Sequence, residues 1–125
     1  MVMTTLQVAA GGAIGAALRF LVGVGVLRLT GPGFPLAIIS VNIIGSFLMG
    51  LFVVFAAKTS NTHLSPFVMT GLLGGFTTFS AFSLEAYTLF ERGQTAAAAT
   101  YVGVSVILSI AGLVAGIMIA RGAFA

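Results

Sequence analysis

Cysteine and tryptophan are absent from this chain of 125 residues, and histidine occurs once, as His63. Without cysteine there is no disulfide, thiol nucleophile or cysteine metal site, and one histidine builds no histidine cluster. The only acids are Glu85 and Glu91, and the only bases are Arg19, Arg28, Lys58, Arg92 and Arg121. These are 6% of the residues, against about 25% in a globular domain. Hydrophobic residues make up 59% and the mean hydropathy is +1.22. So little charge cannot cover a water-soluble fold, and so apolar a chain is not intrinsically disordered. The pI near 10.3 comes from scattered bases that form no patch, so no nucleic-acid partner is expected. One histidine, no cysteine and no acid pair within the apolar stretches leave an enzyme the least supported class.

What is present is long uncharged sequence. Residues 1–18, 29–57 and 93–120 carry no charge, and between Lys58 and Arg92 only His63 and Glu85 are ionisable. A helix needs about 20 apolar residues to cross some 30 Å of hydrocarbon. The pattern therefore predicts an all-α membrane protein with four spans, at about 5–27, 35–57, 66–90 and 96–120, in a single domain of residues 1–125. Thr4 or Thr5, Ser65 and Thr95 are candidate N-caps. Pro35 and Pro66 suit first-turn positions. Gly31-Pro32, Lys58 and Gly93 mark stops. The connections Thr30–Phe34, Thr59–Ser65 and Glu91–Gln94 are short, so consecutive spans are antiparallel. No basic segment precedes the first apolar stretch, so a cleavable signal peptide is not expected.

Four spans place both ends of the chain on one side, with Lys58 and Arg121; Arg28 and Arg92 fall on the other. Orientation normally follows a Lys/Arg excess in cytoplasmic loops, and here the tally is even. Two readings fit. In one, a weak bias or a partner settles the orientation. In the other, copies insert both ways and pair as an antiparallel dimer. Glycine, 17 of 125 residues, is about twice its usual ~7% share. It falls at four-residue steps, Gly11-Gly15-Arg19-Gly23 and Gly112-Gly116, a spacing that suits close helix contact in lipid.

The third span contains Gly74-Gly75-Phe76-Thr77-Thr78-Phe79-Ser80-Ala81-Phe82-Ser83. Paired glycines followed by paired threonines weaken a helix at mid-membrane. A break there frees backbone groups, tolerated only when they are buried in protein or line a cavity; the alternative is an intact, glycine-rich packing helix. Phe76, Phe79 and Phe82 recur every three residues, either as plain packing or as ring edges turned toward an anion. Asn42 and Ser46 share one face of span two. Tyr101, Ser105 and Ser109 share one face of span four. The serines either bond to the carbonyl four residues back or line a polar track. Arg19 is either an anchor or an anion attractant. Glu85 is either solvated near a helix end, paired with Arg19, or a proton or cation site.

Together these residues resemble the CrcB/Fluc family of fluoride channels over nearly the whole chain. The resemblance is carried by Gly-Ala-Ala-Leu-Arg19, Val41-Asn42, the Gly74–Ser83 run and the Tyr101/Ser105/Ser109 spacing. Ala81 departs from the family, which often has threonine there. The resemblance implies a dual-topology antiparallel homodimer, with the third helix broken mid-membrane. It implies two fluoride pores lined by Asn42, Phe79, Phe82, Ser83, Tyr101, Ser105 and Ser109. It also implies a structural Na⁺ at the dimer axis, held by the backbone carbonyls of Gly74 and Thr77. The role would be passive fluoride efflux across the plasma membrane of a prokaryote. Two other classes fit less well. A small multidrug transporter needs a carboxylate in its first span, where this chain has Arg19. A purely structural subunit does not account for ordered polar faces that cost insertion energy.

Overall fold

The computed structural model describes all residues from Met1 to Ala125 and is entirely helical. Helix α1 covers Val2–Thr30 and α2 covers Leu36–Lys58. The third span, Thr62–Glu91, is composite. A 3₁₀ turn at Thr62–Leu64 leads into a π-helical segment, Pro66–Leu73, and a single α-turn, α3, at Gly74–Phe76. The chain then leaves helical geometry and re-enters it as α4, Ser80–Glu91. Helix α5 runs Thr95–Ala123. All four spans are long and apolar enough to cross a bilayer. Few large side chains are buried, and Phe20, Leu29 and Ile107 stand 69%, 88% and 67% exposed. Such a surface belongs in lipid or against another copy. The protein is a multi-pass integral membrane protein.

The closest packing joins spans that are not consecutive and run parallel. A Cβ on Gly11 or Gly15 of α1 would strike the backbone of Phe67, Leu72 or Phe76. One on Gly71 or Gly75 would come within 2.8 Å of the Val8 or Gly12 carbonyl. Gly50 and Gly116 lie equally close to Leu113 and Phe47 on the facing helix, and Gly112 approaches Ile43. Glycine thus removes the side-chain layer at both crossings and lets backbones touch, the usual mode of helix association in lipid. The α1 row stops at Arg19, because Gly23, expected to continue it, has no neighbour within 4 Å.

The expected side-chain caps do not form at any helix start. Thr5 Oγ1 instead donates to the Met1 carbonyl at 2.8 Å, and α1 starts ahead of it. Pro35 sits one residue before α2, and Thr95 is already inside α5, whose preceding residue is Gln94. Pro66 does occupy the first turn of its segment. Gly31 and Gly93 end their helices with φ of 74° and 80°, the left-handed region that glycine enters without strain.

Candidate functional site: a polar groove at the helix break

Span three is broken at Thr77–Phe79. Thr77 is extended, with φ −87° and ψ 161°, and α4 starts three residues later. Phe76 is buried ahead of the break, so it does not share a helical face with Phe79 and Phe82. Three side chains hold the break. Asn42 on α2 donates from Nδ2 to the Thr78 carbonyl at 3.1 Å and accepts the Thr78 N–H on Oδ1 at 2.9 Å. Thr78 Oγ1 accepts the Ala81 N–H at 3.1 Å, capping α4. On the other flank, Arg19 Nε donates to the Gly75 carbonyl at 3.1 Å. Arg19 is therefore an anchor and does not pair with Glu85, which lies beside Thr30, Phe34 and Pro35 near the α1–α2 connection.

These bonds decide which backbone groups are left over. In a continuous helix the Thr78 and Ala81 N–H groups would bond to the carbonyls of Gly74 and Thr77. Both N–H groups are bound to side-chain oxygens instead. No loop or side-chain donor is found on either carbonyl. Gly74 is exposed and Thr77 half-buried. The Thr77 hydroxyl turns away and donates to Leu73 at 3.0 Å, so at Thr77 only the carbonyl is free to act.

Beside the break runs a groove of about 400 Å³, open on one side and lined from three elements. Helix α2 contributes Asn42, Gly45, Ser46 and Met49, one face at steps of three and four residues. The break and α4 contribute Thr77, Thr78, Phe79 and Phe82, and α5 contributes Ser105, Val106, Ser109 and Leu113. Phe79 and Phe82 have ring centroids 5.5 Å apart. Phe82 is buried, whereas Phe79 is 77% exposed at the rim.

Of the residues expected on the ion path, Asn42, Phe79, Phe82, Ser105 and Ser109 meet in this groove. Two lie outside its lining. Ser83 is exposed and bonds back to the Phe79 carbonyl at 2.9 Å. Tyr101 is fully buried against Phe82, with centroids 5.2 Å apart, and its ring is nearly perpendicular to that of Phe34, centroids 5.7 Å apart. The Tyr101 hydroxyl and Ser105 Oγ are both buried without a hydrogen-bond partner. Ser105 does not return to the carbonyl four residues back, the alternative its spacing left open. Buried hydroxyls without partners are uncommon and point to a ligand or a function.

The sequence marks Thr78 only as half of the helix-weakening threonine pair; that its backbone ties α2 to span three rests on a tertiary contact 36 residues away. Sequence reasoning passed over Met49, although Met49 continues the Asn42–Ser46 face by helical spacing.

No charged side chain lines the groove, and no cluster of three or more His, Cys, Asp or Glu occurs anywhere in the chain. The site offers an amide, hydroxyls and two aromatic rings, with bare carbonyls next to it.

Residues 6–117 match the family described as CrcB-like protein, Camphor Resistance (CrcB). A relative from Ruegeria sp. (strain TM1040), named fluoride-specific ion channel FluC, is 67% identical over 123 residues, 98% of each chain. One of the same name from Roseobacter denitrificans is 65% identical, covering 95% of this chain and 96% of its own. Another, from Cereibacter sphaeroides, is 59% identical over 98% of each. With the match spanning all four helices and the broken third span, this chain belongs to the CrcB-like family.

Proposed function

We propose that this chain is a fluoride channel of a prokaryotic plasma membrane, giving passive fluoride efflux that protects the cytoplasm. The observation that carries the reading is the uncharged polar groove at the break, in a chain 67% identical to a relative named fluoride-specific ion channel. Fluoride is small and strongly hydrated, so a path must replace its water with donors. Hydroxyls and an amide do this without a fixed cation that would trap the ion. Channel conduction requires binding tight enough for entry and loose enough for exit. The unpartnered hydroxyls of Tyr101 and Ser105 are donors in reserve, and the edges of Phe79 and Phe82 present the positive part of the ring quadrupole.

A groove open on one side is half of a path. Polar lining exposed to lipid is costly, and a second copy laid across the groove removes that cost. The even basic tally supports an antiparallel, dual-topology homodimer with two pores. Bare carbonyls are suitable ligands for a hard cation, and those of Gly74 and Thr77 fit a structural Na⁺ at the dimer axis. Two from each copy make a four-oxygen set, and Arg19 withdraws the neighbouring Gly75 carbonyl from it. Bound there, the ion supplies positive charge that holds the two breaks together.

The test is growth of a fluoride-sensitive bacterium lacking its own exporter. Expression of this chain is expected to restore growth in fluoride but to give no advantage in equimolar chloride. Failure to restore growth, with the protein present in the membrane, contradicts the proposal.

A further inference from the structure

We infer that Asn42 is a positioning residue for the break, and through the break for the cation site, beyond its place on the groove wall. Its cation arm rests on the sodium site proposed above. A single carboxamide satisfies both backbone groups of Thr78, 36 residues away in sequence, as a neighbouring peptide group would. The N–H it takes is the one that a continuous helix would give to Gly74. While Asn42 holds Thr78, the Gly74 carbonyl stays bare. The second bare carbonyl, at Thr77, depends on the same clamp, because Thr78 Oγ1 must stay in place to cap Ala81.

The neighbours of Asn42 fix its position. Val41 is 2% exposed, and the missing side chain of Gly45 makes room for the Thr77 methyl group. Without the clamp, Thr78 N–H and C=O would be unpaired at membrane depth, where that is costly. Groove water then takes the Thr78 N–H, the break is no longer held in place, and the Gly74 carbonyl loses its fixed position beside the cation. An amide nitrogen carries two hydrogens. One serves Thr78 and the other remains for the groove, so the same residue joins the ion path to the break.

Two measurements on full-length protein in liposomes test this, using wild type, Asn42→Leu and Asn42→Asp. The first is hydrogen exchange at the Thr78 amide. Loss of a net hydrogen bond is expected to speed exchange about tenfold in Asn42→Leu. Asn42→Asp keeps the acceptor for that N–H and is expected to exchange more slowly than Asn42→Leu, and it carries the test if Asn42→Leu does not fold. The second is fluoride efflux as a function of sodium, with an organic cation as replacement. The sodium concentration for half-maximal flux is expected to rise about tenfold in Asn42→Leu.

Unchanged exchange at Thr78 overturns the clamp. Faster exchange with an unmoved sodium midpoint overturns the coupling to the cation. A change that only reduced the amount of folded protein would lower flux at every sodium concentration and leave the midpoint alone. Wild-type flux indifferent to sodium would defeat the cation reading itself, and the exchange arm would still decide the role of Asn42.

Discussion

Replacing Phe79 and Phe82 singly with isoleucine separates rings that act on an ion from rings that only pack. Phe82 is 8% exposed, with its ring 5.2 Å from Tyr101 and 5.5 Å from Phe79. An aromatic pair contributes about 0.5–1.5 kcal/mol beyond area burial. Losing two pairs costs Phe82→Ile about 1–3 kcal/mol, and the shape change adds up to about 1.5 kcal/mol. Phe79 is 77% exposed and has one such partner, so Phe79→Ile costs about 0.5–1.5 kcal/mol. Thermal unfolding in detergent should therefore rank Phe82→Ile as the less stable variant, with Phe79→Ile close to wild type. Fluoride efflux from liposomes should fall strongly in both, per folded protein. The decisive variant is Phe79→Ile, because its small stability cost cannot explain a lost flux. Wild-type efflux through Phe79→Ile, with Phe82→Ile reduced only in proportion to its folded fraction, would refute a role for the rings in conduction.

Tyr101→Phe removes a buried hydroxyl that has no partner, so melting should rise by a few degrees, since such a group costs about 1–3 kcal/mol. The same variant should pass less fluoride, and full flux would exclude the hydroxyl from the path. At the break, Gly75→Ala should destabilise the fold, because its Cβ would lie 2.8 Å from the Gly12 carbonyl. Gly74→Ala meets only the Met69 carbonyl at 3.3 Å, so it should unfold near the wild-type temperature and affect only sodium dependence. Equal destabilisation of both would contradict the packing described. Topology reporters fused after Ala125 should be active on both sides of the membrane; activity on one side alone would exclude dual topology.

The spans were readable because a charge in hydrocarbon is expensive, so uncharged runs mark membrane helices almost by arithmetic. The break was readable as one of two options, since Gly74-Gly75 and Thr77-Thr78 weaken a helix without proving that it opens. Deciding between them takes tertiary partners, and Asn42 and Arg19 approach from other helices at separations no local pattern reports. The helix starts differ from the hydroxyl pattern for local reasons: the Thr5 hydroxyl bonds back to the Met1 carbonyl inside α1, and Pro35 and Gln94, neither with a hydroxyl, stand just ahead of α2 and α5. The Phe76–Phe79–Phe82 stripe assumed an unbroken helical period, which the extended Thr77 interrupts. The groove faces on α2 and α5 were legible from four-residue spacing. That Tyr101 sits against Phe82 depends on how α4 packs against α5, which spacing alone does not contain.

Fluoride release from liposomes loaded with equal concentrations of potassium fluoride and potassium chloride, containing purified wild-type protein in a sodium buffer, decides whether this chain is a fluoride-selective path. With potassium as the internal cation and a potassium ionophore to carry the balancing charge, fluoride is expected to appear rapidly outside, read by a fluoride-selective electrode, while chloride stays inside. Retention of both ions by folded, reconstituted protein, or release of chloride as fast as fluoride, would contradict it.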